Sequence, residues 1–170
     1  MNIILPYPNV IVMIGPSGSG KSLFATKHFL PTEIVSSDKC RGMISDDEND
    51  QSVSSDAFDL VHLIVQRRLK YEKLTVIDAT NVKKTSRESI LRINEQCGAF
   101  NTTAFIFNLP LSQCIQNDKN RERSVGADVI KKQFQSMNES IDSIKNESYL
   151  AICVFHDISS VLKTKITVLR

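Results

Sequence analysis

The sequence predicts an α/β protein, a three-layer sandwich whose central sheet is mostly parallel and covered by helices on both faces. Short continuous apolar runs such as Val10–Ile14 and Leu74–Ile77 suit strands buried on both sides. They alternate with longer stretches whose apolar residues recur at helical spacing. That alternation implies right-handed crossovers onto a parallel sheet. The 170 residues suffice for one such domain, able to bury about two-thirds of its unfolded surface.

Each element follows from its residues. Val10–Ile14 ends at Gly15 as a buried strand, and Lys21–Leu30 reads as a helix closed off by Pro31. A short strand, Glu33–Ser36, leads into the run SSDKCRG. The acidic, serine-rich stretch Ile44 to Ser55 reads as a loop. Phe58, Val61, His62, Val65 and Leu69 then mark one face of a helix packed on the sheet. Leu74–Ile77 is the next strand and ends at Asp78. Thr85 with Glu88 forms an expected capping box for a helix reaching about Gln96. TAFIFNLP is a strand stopped by Pro110, Leu111–Asn120 a helix, and Val129 to about Ile144 another. YLAICVF and TKITVL read as closing strands. In such a sheet ligands bind at the carboxyl ends of the strands, so Gly15, Asp38, Asp78 and Asn108 should share one rim.

Composition excludes several classes of function. A net charge of +2 is too small to imply a nucleic-acid partner by itself. Cys40, Cys97, Cys114 and Cys153 form no Cys-x-x-Cys pair, which fits reduced thiols and argues against a zinc or redox site. His28, His62 and His156 lack metal-ligand spacing, and Asp46, Asp47, Glu48 and Asp50 lack the pattern of a calcium loop. No apolar run approaches the roughly 20 residues of a membrane span, and the N-terminus carries no basic leader. A cytoplasmic, single-domain protein is the expectation.

One motif carries chemistry outright. GPSGSGKS, Gly15 to Ser22, matches the phosphate-binding pattern G-x-x-x-x-G-K-[ST] and lies between a strand and a helix, as that pattern requires. Gly15, Ser17, Gly18, Ser19 and Gly20 belong to a backbone arc whose N–H groups point at phosphates. The helix N-terminus adds partial positive charge. Lys21 can reach the β- and γ-phosphates, and the Ser22 hydroxyl can ligate Mg²⁺. The expected cofactors are ATP and Mg²⁺ or another divalent cation. No Asn-Lys-x-Asp element of GTPases and no LSGGQ signature of transporters accompanies the motif, and LTVIDATN supplies Asp78 without a following carboxylate. A small P-loop kinase-like domain is therefore favoured over a motor or a switch.

Such an enzyme needs a base for the acceptor hydroxyl and charge around the transferring phosphoryl group. Asp38 lies past the end of the strand next in sequence to the motif. Arg41, one helical turn later, can pair with that carboxylate or with a phosphate on the acceptor. Arg121 and Arg123, near Gly126, fall where small P-loop kinases keep an arginine-bearing helical lid, here about residues 117–135.

The runs GPSGSGKS, SSDKCRG, SDDENDQ and VIDATNV together resemble the 5′-hydroxyl polynucleotide kinase module of bacterial polynucleotide kinase-phosphatases of RNA repair. The resemblance extends over nearly the whole chain. It implies ATP·Mg²⁺ on Lys21 and Ser22, Asp38 as general base toward a 5′-OH of RNA or DNA, and Arg41 on the acceptor's phosphate. It also implies Thr80 and Gln51 on the acceptor side and Arg121 on the ATP phosphates, with Arg123 a second lid candidate. The chain departs from the family where Asn117 stands in place of an arginine and where Arg123 is displaced by about a residue. In that family the module is often joined to phosphatase and ligase modules in a longer chain. Two other readings fit the residues: a small-metabolite kinase acting on a nucleoside or sugar acid, and a nucleotide-binding module without turnover.

Overall fold

The computed structural model describes residues 1–120 and 124–170. Five parallel strands form the central sheet: β2 (Asn9–Ile14), β3 (Ile34–Ser36), β4 (Thr75–Asp78), β5 (Asn101–Phe107) and β6 (Ala151–Phe155), in the order β3-β4-β2-β5-β6. All six residues of β2 are buried, because helices cover both faces of the strand at the middle of the sheet.

The two-residue period of β2 divides its side chains between two cores. Ile11 and Met13 join Phe24, Phe105, Phe107 and Phe155 on one face. There the rings of Phe107 and Phe155 lie 4.9 Å apart, and Phe24 meets Phe105 edge-on at 5.5 Å. Val10, Val12 and Ile14 join Val61, Val65, Leu69 and Ile77 on the other. The first face is covered by α1 (Lys21–His28), α5 (Leu111–Lys119), α6 (Ala127–Ser140) and α7 (Ile158–Lys163), the second by α2 (Ser37–Ser45), α3 (Ser54–Lys70) and α4 (Lys84–Cys97).

Several boundaries differ from expectation for local reasons. Helix α1 stops at His28 because Phe29 and Leu30 turn extended ahead of Pro31, whose ring disfavours helical geometry in the residue before it. The stretch expected as a loop to Ser55 is shorter. A 3₁₀ turn, Gln51–Val53, opens directly into α3 at Ser54. The capping box does not form: α4 starts at Lys84, so Thr85 lies inside its first turn and Glu88 pairs with Lys84 at 3.5 Å. Helix α6 ends at Ser140 and tightens into a 3₁₀ turn, Ile141–Asn146. Finally β7 (Lys165–Leu169) pairs in parallel with β1 (Asn2–Pro6), a strand absent from the sequence reading, outside the main sheet. Leu5 is its single fully buried side chain, too weak a pattern to mark a strand.

Candidate active site

Strand β2 delivers the phosphate motif to the rim of the sheet. Gly15 N–H donates to the Thr80 carbonyl at 2.9 Å, which ties the loop to the chain leaving β4. Lys21 folds back over the loop, with Nζ 2.7 Å from the Pro16 carbonyl oxygen and 3.3 Å from Ser19 Oγ. Gly18 has φ +77° and lies so close to α5 that a Cβ there would sit 2.1 Å from the Cys114 carbonyl oxygen. Only glycine satisfies both demands.

Two side chains that sequence reasoning missed hold the same arc. Gln133 of α6 accepts from Ser17 N–H at 2.8 Å, and Asn117 of α5 donates to the Gly18 carbonyl at 2.8 Å. Asn117 also accepts from Gln113 at 2.8 Å, one turn back on the same helix. These helices flank residues 120–126, so both ends of the expected lid segment are anchored on the phosphate loop. Buried Asp118 strengthens the second anchor by accepting from Ser124 Oγ at 2.6 Å and Gly126 N–H at 3.1 Å. The replacement of an expected arginine by Asn117 thus has a structural use. Arg121 and Arg123 lie outside the described residues.

One cleft gathers Ser17, Gly18, Lys21, Ser22, Asp38, Asp78 and Thr80. Asp38 stands in the first turn of α2, which Ser36 caps by accepting from Lys39 N–H. Its side chain is 62% exposed, open to an acceptor, whereas that of Arg41 is 10% exposed. Arg41 bonds Asp38 Oδ1 and, through Nε, the Glu48 carbonyl at 2.8 Å. The guanidinium therefore sets the orientation of the carboxylate and closes the 46–50 loop onto α2. Gln51 is exposed and does not line this cleft, its amide bonded to the Asn49 carbonyl at 3.3 Å and to the Ser54 hydroxyl at 3.2 Å.

Among the described residues no group of three or more His, Cys, Asp or Glu side chains is placed to hold a metal. The exposed Ser22 hydroxyl and the Asp78 carboxylate line the same cleft. One hydroxyl and one carboxylate suit Mg²⁺, which takes few protein ligands and completes its shell with phosphate oxygens and water. The thiols of Cys40, Cys114 and Cys153 are pushed up by burial, which keeps them protonated and unreactive. No helix among the described residues is long and apolar enough to cross a membrane.

A family profile described as an AAA domain matches residues 10–144. Among solved structures, the chain is similar to one in the Pnkp1/Rnl/Hen1 RNA repair complex, at 22% identity and a TM-score of 0.68, covering 81% of this chain and 46% of that one. It is also similar to a gluconokinase from Sinorhizobium meliloti 1021, at 14% identity and a TM-score of 0.56, covering 93% and 89% of the two chains. A third likeness is to the Mycobacterium tuberculosis APS kinase CysC in complex with AMPPNP and APS, at 14% identity and a TM-score of 0.54, covering 82% and 99%. The chain thus spans about half the length of its RNA-repair neighbour and nearly the full length of the two metabolite kinases. A sequence search of curated proteins finds no match.

Proposed function

The chain belongs to this AAA-domain family of P-loop proteins and has a P-loop kinase fold, and from that premise we propose that it is a polynucleotide 5′-hydroxyl kinase. It transfers the γ-phosphoryl group of ATP to 5′-OH ends of RNA or DNA, as a module of a nucleic-acid repair protein. The observation that carries the reading is the shared cleft, in which Asp38 faces Lys21 and Ser22 with Arg41 bonded to its carboxylate.

In the proposed reaction Asp38 accepts the proton of the 5′-OH as its oxygen bonds to Pγ. The bond from Pγ to the β–γ bridging oxygen breaks, and ADP leaves with that electron pair. Ser22 and Asp78 would hold Mg²⁺, which would supply positive charge to offset that of the phosphates. Lys21 exchanges its present bonds to Pro16 and Ser19 for the β- and γ-phosphate oxygens. Arg121 and Arg123 are the candidates for closing over the triphosphate, and Arg41 and Thr80 for holding the acceptor. Gln51 is a further candidate on the acceptor side.

Removing a positioned general base costs about 10²–10⁴-fold. Asp38→Ala should therefore abolish labelled-phosphate transfer to a 5′-OH oligonucleotide while ATP still binds. Full activity in this variant would overturn the assignment of the base. The folds of the gluconokinase and the APS kinase support a second reading, a small-metabolite kinase. Offering gluconate, a nucleoside, a nucleoside 3′-phosphate and an oligonucleotide side by side separates the two. Transfer to none of them would favour a binding module without turnover.

A further inference from the structure

Past Thr80 the cleft continues into a groove of about 280 Å³. Thr80 lines both. The groove's other walls include Phe58 of α3, Lys83 and Ser86 at the start of α4, and Lys132 and Ser136 of α6. Among the described residues no carboxylate lines it, and neither lysine is ion-paired.

The groove is built on a rigid frame. Fully buried Arg87 donates Nη1 to the carbonyls of Asn81 at 3.0 Å and Val82 at 3.1 Å, fixing the backbone between Thr80 and Lys83. Ser140 of α6 donates to the same Val82 carbonyl at 2.7 Å, joining the two walls from below. Gln133, one residue from Lys132, holds α6 to the phosphate loop through Ser17 N–H. The two lysines are thus mounted on backbone that is locked to the phosphate site.

The lining chemistry selects a ligand class. Two unpaired ammonium groups call for a phosphate, the half-buried Phe58 ring offers a face to a base, and Ser86 and Ser136 offer hydroxyls to a sugar or phosphate oxygen. Among the described residues Thr80 alone lines both spaces, so an acceptor that uses both must extend past its reacting end. We infer that this groove binds the second nucleotide of a single-stranded acceptor, with Lys83 and Lys132 on its phosphodiester and Phe58 against its base. The inference rests on the polynucleotide kinase reading and extends it from the reacting end to the strand behind it.

The test uses Lys83→Gln/Lys132→Gln, two exposed substitutions, with ATP affinity of the same preparations reporting on the fold. Anisotropy of a 3′-labelled 5′-OH oligonucleotide should show binding weakened at least tenfold. The slope of log affinity against log salt should flatten by about 0.7 for each phosphate contact removed. The ratio of kcat/KM for the oligonucleotide over a nucleoside 3′-phosphate should fall by a similar factor. An unchanged ratio with unchanged oligonucleotide binding overturns the groove and leaves the kinase reading standing, as does an equal loss on both acceptors. A wild-type chain that transfers to no 5′-OH acceptor, yet loses oligonucleotide binding on substitution, overturns the kinase reading and upholds the groove.

Discussion

Arg87→Met tests how far one buried ion pair supports both the fold and the rim. The Arg87 and Glu147 side chains are 0% and 5% exposed. Arg87 Nε and Nη2 donate to the two carboxylate oxygens at 2.8 and 2.7 Å, and Nη1 serves the Asn81 and Val82 carbonyls and Ser140 Oγ. Methionine replaces most of the aliphatic stem but none of these donors. Among the described residues Glu147 then keeps Ser143 Oγ, 3.2 Å away, as a side-chain donor. Breaking a buried pair from one side costs about 3–5 kcal/mol, because the remaining charge is desolvated without compensation. That is two to four powers of ten in the unfolding constant, out of a total stability of about 5–15 kcal/mol. The chain has no tryptophan, so urea unfolding is followed by far-ultraviolet circular dichroism. Arg87→Met/Glu147→Leu should recover much of the loss, since an apolar pair of similar volume tolerates the same burial. A cost below about 1 kcal/mol for Arg87→Met, or a double variant no better than the single one, would refute the reasoning.

Two further outcomes follow from local geometry and charge. Gly18→Ala forces a Cβ toward the Cys114 carbonyl at φ +77°; strain of about 1–2 kcal/mol in that backbone region adds to the clash. ATP affinity by calorimetry should drop at least tenfold, and unchanged affinity would show that the seat of the loop on α5 is dispensable. Burial holds His28 and His62 below the usual 6.5, with Lys27 adding to the effect on His28 and Asp59 opposing it on His62. Above 6.5 both are neutral, folded or unfolded; below it the unfolded chain takes up protons first. Stability is therefore full above 6.5 and is lost as pH falls toward the folded-state values. Tm should be lower at pH 5.5 than at pH 7.5, and a pH slope unchanged in His28→Gln/His62→Gln would reject these two groups as its source.

Legibility in the sequence followed contiguity. GPSGSGKS is one uninterrupted run whose function depends on its own backbone, so Lys21 and Ser22 are readable without any tertiary contact. Asp38 is readable because strand ends in a parallel sheet share a rim. Asn117, Gln133 and Arg87 were not, since their roles depend on partners far along the chain: the Gly18 carbonyl lies 99 residues from Asn117, Ser17 N–H 116 from Gln133, and the Glu147 carboxylate 60 from Arg87. Charged or amide residues at such positions look like ordinary helix surface until the helices are packed.

By itself, then, the sequence determined the parallel α/β architecture, the phosphate loop and the rim on which Asp38 meets it, because periodicity and local backbone chemistry act over a few residues. Tertiary structure alone decided that β1 and β7 pair outside the main sheet, that the Arg41 guanidinium also reaches the Glu48 carbonyl, and that α5 and α6 grip the phosphate loop. It also decided that Lys83 and Lys132, 49 positions apart by their numbers, face one groove past Thr80. Each of these depends on which surfaces the cores bring within hydrogen-bond reach, a quantity that spacing along the chain does not encode.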